Sequence, residues 1–319
     1  MKLFARRAVA AVREVTENTF VAPASSADFL PAHDFTFKPV IEMLPSKVVS
    51  ASLGSPADVS GKKSADIDLK FWGKGSGTAG SPYPPFDAIM GACGLSGSSS
   101  GGSITYKPMN TTPDAAHFQG PCINCSVVGM YDGVLHKTPG VAGSMKWILE
   151  AGKKWEIEFA GKGLWTSAVD SALSQSSASP STPIEPTVQN VSFLVNGYQL
   201  TIDKLEIDFG SEVQMYDDID APFGVGGFTI NDRKPTGTFQ ALMVNVADHD
   251  FFGHTESNTV LSGSVTIGSA AGNKYVLTFA SIIYSNVQYA NKNGFIAVNA
   301  TLKFNETDVA TPWLTMVAE

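Results

Sequence analysis

The sequence predicts a mainly β fold: two tandem β-sandwich or barrel domains, with one or two short helices packed beside them. Three observations predict it. Apolar and polar residues alternate with a period of two over several runs, glycine-containing turn pairs part those runs, and helical periodicity is scarce.

Each element follows from its residues. Ile67, Leu69 and Phe71 alternate with Asp66, Asp68 and Lys70, and Trp155, Ile157 and Phe159 alternate with Glu156 and Glu158. Ile296, Val298, Ala300, Leu302 and Phe304 make another alternating run. Strands of this kind have one wet face and one buried face. Asn196-Gly197 parts Phe193-Leu194-Val195 from Tyr198-Gln199-Leu200, which is the pair that a tight hairpin turn needs; Asp132-Gly133 and Asn293-Gly294 read alike. The best helix runs from Pro84 to Cys93. Prolines open it, Phe86, Ile89, Met90 and Cys93 share a face, and Gly94 stops it.

Residues 171–189 are rich in Ser and Pro and have no period, so they read as a linker. The chain then divides into an N-terminal arm (1–30), a first β domain (31–170), the linker, and a second β domain (190–319). Residues 94–103, Gly-Leu-Ser-Gly-Ser-Ser-Ser-Gly-Gly-Ser, read as a flexible loop. The peptide Ala151–Ala160 aligns with Ala271–Ala280, sharing Ala, Gly, Lys, Phe and Ala in register, which predicts a tandem duplication.

A chain of 319 residues and 33.7 kDa suits two ordinary domains. Charged residues make up 16%, below the roughly 25% typical of soluble domains. That suits a subunit covered by its own copies, because interface cores are depleted of charge; a sandwich rich in Ser, Thr and Gly suits it equally. No run reaches the roughly 18 apolar residues of a membrane-spanning helix. Twenty-two basic against thirty acidic residues give a net charge of −8, which excludes a simple phosphate-holding DNA binder. Arg6 and Arg7 interrupt the opening Met1–Ala5 before an apolar signal core of about 7 residues can form, so residues 3–15 read as a short amphipathic helix or an extended arm.

Several groups suggest chemistry. Cys122-Ile-Asn-Cys125, with His117 and Cys93, has the donors of a Cys₃His zinc site, but only one tight ligand pair; small buried thiols are the plainer reading. The odd count of three cysteines argues against a disulfide framework. Asn190-Val-Ser192 and Asn305-Glu-Thr307 match the glycosylation triplet without a signal peptide to give it meaning. Gly75-Ser-Gly77-Thr-Ala-Gly80 matches a dinucleotide loop, yet Ser-Pro-Tyr-Pro-Pro follows where a helix must open. Gly97-Ser-Ser99-Ser-Gly101 lacks the strand–turn–helix of a nucleophile elbow. Asp248-His249-Asp250 with His254 reads as a polar loop beside Phe251 and Phe252, and Asp217-Asp218 with Asp220 shows no sign of the split acidities that acid–base work needs. No catalytic residue, cofactor site or metal site is assigned.

The arm Arg7-Ala-Val-Ala-Ala-Val-Arg-Glu-Val-Thr-Glu-Asn-Thr-Phe-Val-Ala-Pro23 is similar to the opening of tail tube proteins (major tail proteins) of tailed bacteriophages. So are Lys70-Phe-Trp-Gly-Lys-Gly-Ser-Gly-Thr-Ala-Gly80, the turn and helix ending Gly91-Ala-Cys-Gly94, then Ile104-Thr-Tyr-Lys-Pro108 and Tyr131-Asp-Gly133. The second half resembles the family through Asp232-Arg-Lys-Pro-Thr-Gly237.

That resemblance implies a structural, non-enzymatic subunit of tail-tube type that needs no cofactor. Its rings stack around a tape measure protein, meet tail terminator and baseplate or tip proteins, and later conduct double-stranded DNA into the host. The expected place is the virion of a siphophage, after assembly in the bacterial cytoplasm, with no membrane partner. Two halves of one fold would let three chains supply six positions, a trimer with pseudo-sixfold symmetry; a hexamer decorated by its second domain is the alternative. The arm (1–30) and the 94–120 segment are the expected ring-to-ring contacts, being costly to order alone. The rivals are a sugar- or protein-binding, adhesin-like β-sandwich and a hydrolase with two converging carboxylates.

Overall fold

The structure, a computed structural model, describes residues 7–46, 54, 57–78, 83–113, 115, 117–171, 187–189, 191–306 and 311–319. Most of the Ser/Pro-rich segment, the opening Met1–Arg6, Asn190 and Thr307 lie outside the described residues.

In the first half, β1 (Arg7–Arg13), β2 (Ala32–Leu44) and β3 (Val59–Trp72) lead to a short helix, α1 (Asp87–Ala92). Then come β4 (Leu95–Ser100), β5 (Ser103–Pro108), β6 (Cys125–Tyr131), β7 (Val134–Glu150), β8 (Glu156–Leu164) and β9 (Val169–Asp170). The opening segment is therefore strand and not helix: β1 pairs antiparallel with β6 and buries Val9, Ala10 and Ala11. The alternation in β3 and β8 is realised, with Ile67, Leu69, Phe71, Ile157 and Phe159 buried. Residues 94–103 are not a loose loop. β4 and β5 form a hairpin turned by Gly101 and Gly102, both at positive φ, and β5 pairs onward with the last strand of the chain. Ser and Gly hide this strand because Gly97 must be small: a Cβ there would lie 2.7 Å from the Tyr106 ring.

In the second half, β10 (Ser192–Val195), β11 (Tyr198–Gln199), β12 (Ile202–Asp208), β13 (Ser211–Asp217), β14 (Val225–Arg233) and β15 (Thr236–Leu242) precede α2 (Phe251–Glu256). Then follow β16 (Leu261–Ile267), β17 (Tyr275–Lys292), β18 (Phe295–Phe304) and β19 (Thr315–Ala318). The three predicted turns are hairpin turns with both central residues at positive φ: Asp132-Gly133, Asn196-Gly197 and Asn293-Gly294. Ile296 departs from its run. It is 65% exposed, because it sits at the tip of the β17–β18 hairpin.

The pairing pattern repeats along the chain. In the first half the order is β2-β3-β8-β7, and in the second it is β12-β15-β18-β17. Each half has a helix after its second strand (α1, α2) and a long bent strand (β7, β17). Each long strand pairs at its start with an outer strand, β6 or β16, which in turn pairs with β1 or β10. Even the short strands correspond, β9 capping β7 and β19 capping β17. This register differs from the peptide match: Ala151–Ala160 leads into β8, whose counterpart is β18, whereas Ala271–Ala280 leads into β17.

The halves are joined edge to edge. The end of β7 pairs antiparallel with β12, with Leu149 opposite Leu205 and Trp147 opposite Ile207. Among the described residues one sheet network thus holds 17 strands, apart from the separate β13–β14 hairpin. The core behind it is also continuous. Trp147 and Trp155 meet edge to face at 5.7 Å, Trp155 meets Tyr275 at 4.9 Å, and Trp147 meets Phe209 at 4.8 Å. Such aromatic contacts add about 0.5–1.5 kcal/mol each beyond burial.

Candidate functional site: a wet sheet face, two open edges and an arm

The run β2-β3-β8-β7-β12-β15-β18-β17 has one face on the core and one in water, and the wet face changes character along it. From β3 to β12 it carries Asp66, Asp68, Lys70, Glu156, Glu158, Lys162, Lys146, Lys204, Glu206 and Asp208. From β15 to β17 it carries mostly uncharged polar groups: Thr236, Thr238, Gln240, Asn299, Thr301, Ser285 and Gln288. Several of the lysines are tied to carboxylates, across strands or along one strand. Lys70 pairs with Glu158, Lys146 Nζ lies 2.6 Å from Glu206 Oε2, and Lys204 pairs with the other oxygen of Glu206.

Both ends of this run are open among the described residues. β2 pairs with β3 alone, and beyond Ile282 β17 pairs with β18 alone. Unpaired strand edges are surfaces on which another chain can add. On β2, the Phe35 N–H donates to Asp34 Oδ1 at 2.9 Å, and the Phe35 carbonyl accepts from Tyr131 Oη at 3.4 Å, so side chains hold its outward backbone groups.

Beyond β8, the ends of β2 and β3 continue as a projecting two-stranded arm, pairing Ile41 with Lys63 and Leu44 with Val59. It exposes Val40, Ile41, Met43, Leu44 and Val59. Its base rests on the β13–β14 hairpin, where Lys62 Nζ lies 2.6 Å from Asp217 Oδ2 and Lys63 sits over the Phe223 ring.

The segment after β1 is fastened within its own chain. Glu14 is buried and accepts from Ser126 Oγ, the Gly140 N–H and the Asn18 N–H, each at 2.8 Å. Burial outweighs these donors and raises its pKa to about 7. Tyr216 Oη donates to Glu17 Oε1 at 2.9 Å, and Asn18 Nδ2 donates to the Gly226 carbonyl. Residues 7–30 and 95–108 therefore need no neighbouring ring to order them: β6, β13–β14 and β19 already do so. The expectation that they are long, unheld segments is corrected.

The groups that suggested chemistry have structural places. Cys93, Cys122 and Cys125 are buried free thiols, and burial raises the pKa of each. Among the described residues no three His, Cys, Asp or Glu side chains are grouped to hold a metal. His249 donates to or accepts from Tyr284 Oη at 2.9 Å; burial, then the neighbouring His254, lowers its pKa to about 4. Asp250 caps α2 by accepting from the Gly253 N–H. Asp217 pairs with Lys62, and Asp218 Oδ1 accepts from the Asp220 N–H. In the glycine-rich stretch, Gly77 N–H donates to the Gly272 carbonyl, so the glycines serve contact between the halves; Ala79 and Gly80 lie outside the described residues. No helix of the described residues is long and apolar enough to cross a membrane.

The surfaces with functional character are thus edges, a wet face and an arm, none of which has single-residue sequence signatures. Period-two alternation marked the wet face, but the open edges depend on pairings that only the folded chain defines.

A family profile described as phage tail tube protein matches residues 5–305. No curated protein matches the chain. The matched family is a structural one, a component of the virion tail and not an enzyme. With nearly its whole length matched, the chain belongs to the phage tail tube protein family.

Proposed function

We infer that this protein is the ring-forming subunit of a siphophage tail tube. Two tail-tube units, residues 31–170 and 190–319, stand either side of the Ser/Pro-rich segment 171–189. Three chains form a ring of six such units, a trimer with pseudo-sixfold symmetry. Rings stack around a tape measure protein, between tail terminator and baseplate or tip proteins, in the host cytoplasm. After the tape measure leaves, the tube conducts double-stranded DNA into the host.

One observation carries this reading: the repeated strand order joined through β7 and β12 within a single chain. A head-to-tail contact makes a ring when its rotation closes, and this chain already contains one such contact between its own halves. The projecting β2–β3 arm, with its exposed Ile41, Met43 and Leu44, is the surface suited to the next ring. A wet face whose lysines are held by carboxylates gives DNA phosphates few free cations to grip.

Electron microscopy of the purified protein, with symmetry averaging of rings or rods, tests this. Hollow rods with threefold density at domain resolution support it. True sixfold density replaces the trimer with the hexamer, and dispersed monomers that bind a glycan or a protein favour the adhesin-like sandwich.

A further inference from the structure

The β13–β14 hairpin stands between β12 and β15, as the projecting arm stands between the paired parts of β2 and β3, so it is the second half's counterpart of that arm. Its two ends are unlike. The tip carries Asp217-Asp-Ile-Asp220, with Ile219 98% exposed and Phe223 exposed as well. The base, where Ser211 pairs with Arg233, borders a cavity of about 430 Å³ whose walls include Met109, Pro121, Ile230, Phe304 and Trp313 beside Arg233.

Arg233 gives that cavity its chemistry. Its guanidinium sits where Gly94 leaves room: a Cβ at Gly94 would lie 2.2 Å from Arg233 Nη2. Nη2 donates to the Pro121 carbonyl at 2.9 Å. Two carboxylates stand at the rim, but both are engaged elsewhere. Asp232 pairs with Lys234 at 2.9 Å, and Glu306 accepts from Asn110 Nδ2 at 2.6 Å. Among the described residues no carboxylate lies within ion-pair distance of Arg233. Burial lowers its pKa, as for a cation stripped of water without a counter-charge. A cation left in that state is costly, and an incoming carboxylate relieves the cost. With apolar walls around it, the ligand that fits is a carboxylate beside an aliphatic side chain.

The hairpin tip carries that pair. Ile219 is the most exposed large apolar side chain among the described residues. Asp217 is held by Lys62, and Asp218 Oδ1 accepts from the Asp220 N–H, while the Asp220 carboxylate has no partner among the described residues. One chain cannot bring its own tip to its own cavity. From Val225, next to the tip, to Asn231, on the cavity wall, β14 runs six residue steps, roughly 20 Å at about 3.4 Å each.

Resting on the tube reading above, we propose that the β13–β14 tip of one copy seats in the Arg233 cavity of a second copy in the next ring, Ile219 on the apolar walls and the Asp220 carboxylate on the guanidinium. The tip belongs to the stacking side because it stands beside the base of the arm, through Lys62 with Asp217 and Lys63 over Phe223. Knob and cavity lie at opposite ends of one hairpin, so the contact is head-to-tail, and a head-to-tail contact that does not close repeats without limit.

The test is an Ile219→Cys/Asn231→Cys double variant of the full chain, both positions being exposed and the three natural cysteines buried, assembled and mildly oxidised. A disulfide needs Cα atoms within about 7 Å, so this bond forms only between copies. Non-reducing denaturing electrophoresis should show a ladder that runs on past the trimer, while each single variant and an Ile219→Cys/Val260→Cys variant stay monomeric. A ladder that stops at three places the contact inside a ring and overturns its assignment to stacking. A dimer from Ile219→Cys alone means that tip meets tip and overturns the cavity. Separately, Ile219→Ser and Asp220→Lys, both on the exposed tip, should melt within about a degree or two of wild type and form rings that no longer extend into rods. Rods of wild-type length from both, without the 219–231 bond, overturn this proposal alone. Wild-type protein that forms neither rings nor rods overturns the tube reading together with this one.

Discussion

Gly75 packs directly on Gly272, closely enough that a Cβ added at Gly75 would lie 1.9 Å from the Gly272 carbonyl oxygen. The Gly75 N–H donates to Asn273 Oδ1 at 2.7 Å, and the Gly77 N–H donates to the Gly272 carbonyl at 3.1 Å. These contacts tie the loop after β3 to the turn before β17, so they lock the first half against the second. The clash is with backbone, which a rotamer change cannot relieve. Gly75→Ala should therefore destabilise by roughly 1–3 kcal/mol. That corresponds to a fall in Tm of several degrees, read by thermal melting. Gly152→Ala gives the contrast: a Cβ there meets nothing within 4 Å, so its smaller cost comes from its positive φ alone.

Much of the fold was legible in the alternation of β3, β8 and β18 and in the three Asn-Gly or Asp-Gly turns, because these signals are local. What the sequence hid was set by partners far along the chain. The strand at residues 95–100 looked like a loop because Gly97 makes room for Tyr106 and the serines face water. The duplication was suggested by one peptide, but equivalence lies in pairings such as β7 with β8 and β17 with β18, and that peptide is out of step with them. The open edges of β2 and β17 were illegible for the same reason: an unpaired strand has the same residues as a paired one.

Glu14 makes stability depend on pH. Its folded pKa is raised to about 7, chiefly by burial, against an ordinary value of 4.5. Between pH 4.5 and 7 the folded state holds a proton that the unfolded state has released, so stability falls as pH rises through that window and levels off above it. The loss is roughly 3 kcal/mol for this one group. Burial also raises Asp87 and Glu17, which act in the same direction. Glu14→Gln should flatten most of the slope in urea titrations at stepped pH. It should also lower stability at pH 5, because the amide nitrogen of Gln cannot accept the hydrogen bond that a carboxyl oxygen of Glu14 accepts there.

The buried thiols give a check that is independent of assembly. Cys93, Cys122 and Cys125 are buried, and burial keeps each protonated at neutral pH. Since the thiolate is the reactive form, all three should resist a thiol reagent in the folded protein and react together on unfolding. Rapid labelling of any of them in the native state would contradict their placement in the core.

The projecting arm separates ring formation from ring stacking. Ile41 is 42% exposed and Leu44 is 48% exposed, and neither joins the core. An Ile41→Ser/Leu44→Ser variant should leave Tm within about a degree or two, since exposed substitutions cost within roughly 0.5 kcal/mol. If the arm grips the next ring, electron microscopy should show rings that no longer extend into rods. Rods of normal length would assign stacking to another surface.

The wet face predicts a charge effect on DNA passage that stability measurements will not see. Asp66, Asp68 and Glu158 lie on the water side of β3 and β8, with Lys70 tied to Glu158. Exposed ion pairs of this kind contribute at most about 1 kcal/mol, so the carboxylates are not needed for folding. Their effect is electrostatic: each added lysine offers a phosphate contact and each removed carboxylate takes away a repulsion. In a phage whose tube carries Asp66→Lys and Asp68→Lys, tails should assemble while genome ejection slows. The slowing should weaken as salt is raised, because phosphate contacts are screened. Thr238→Ser and Gln240→Asn, on the uncharged stretch of β15, should leave ejection unchanged. Equal ejection rates for wild type and the lysine variants at low salt would show that this face does not line the path of the DNA.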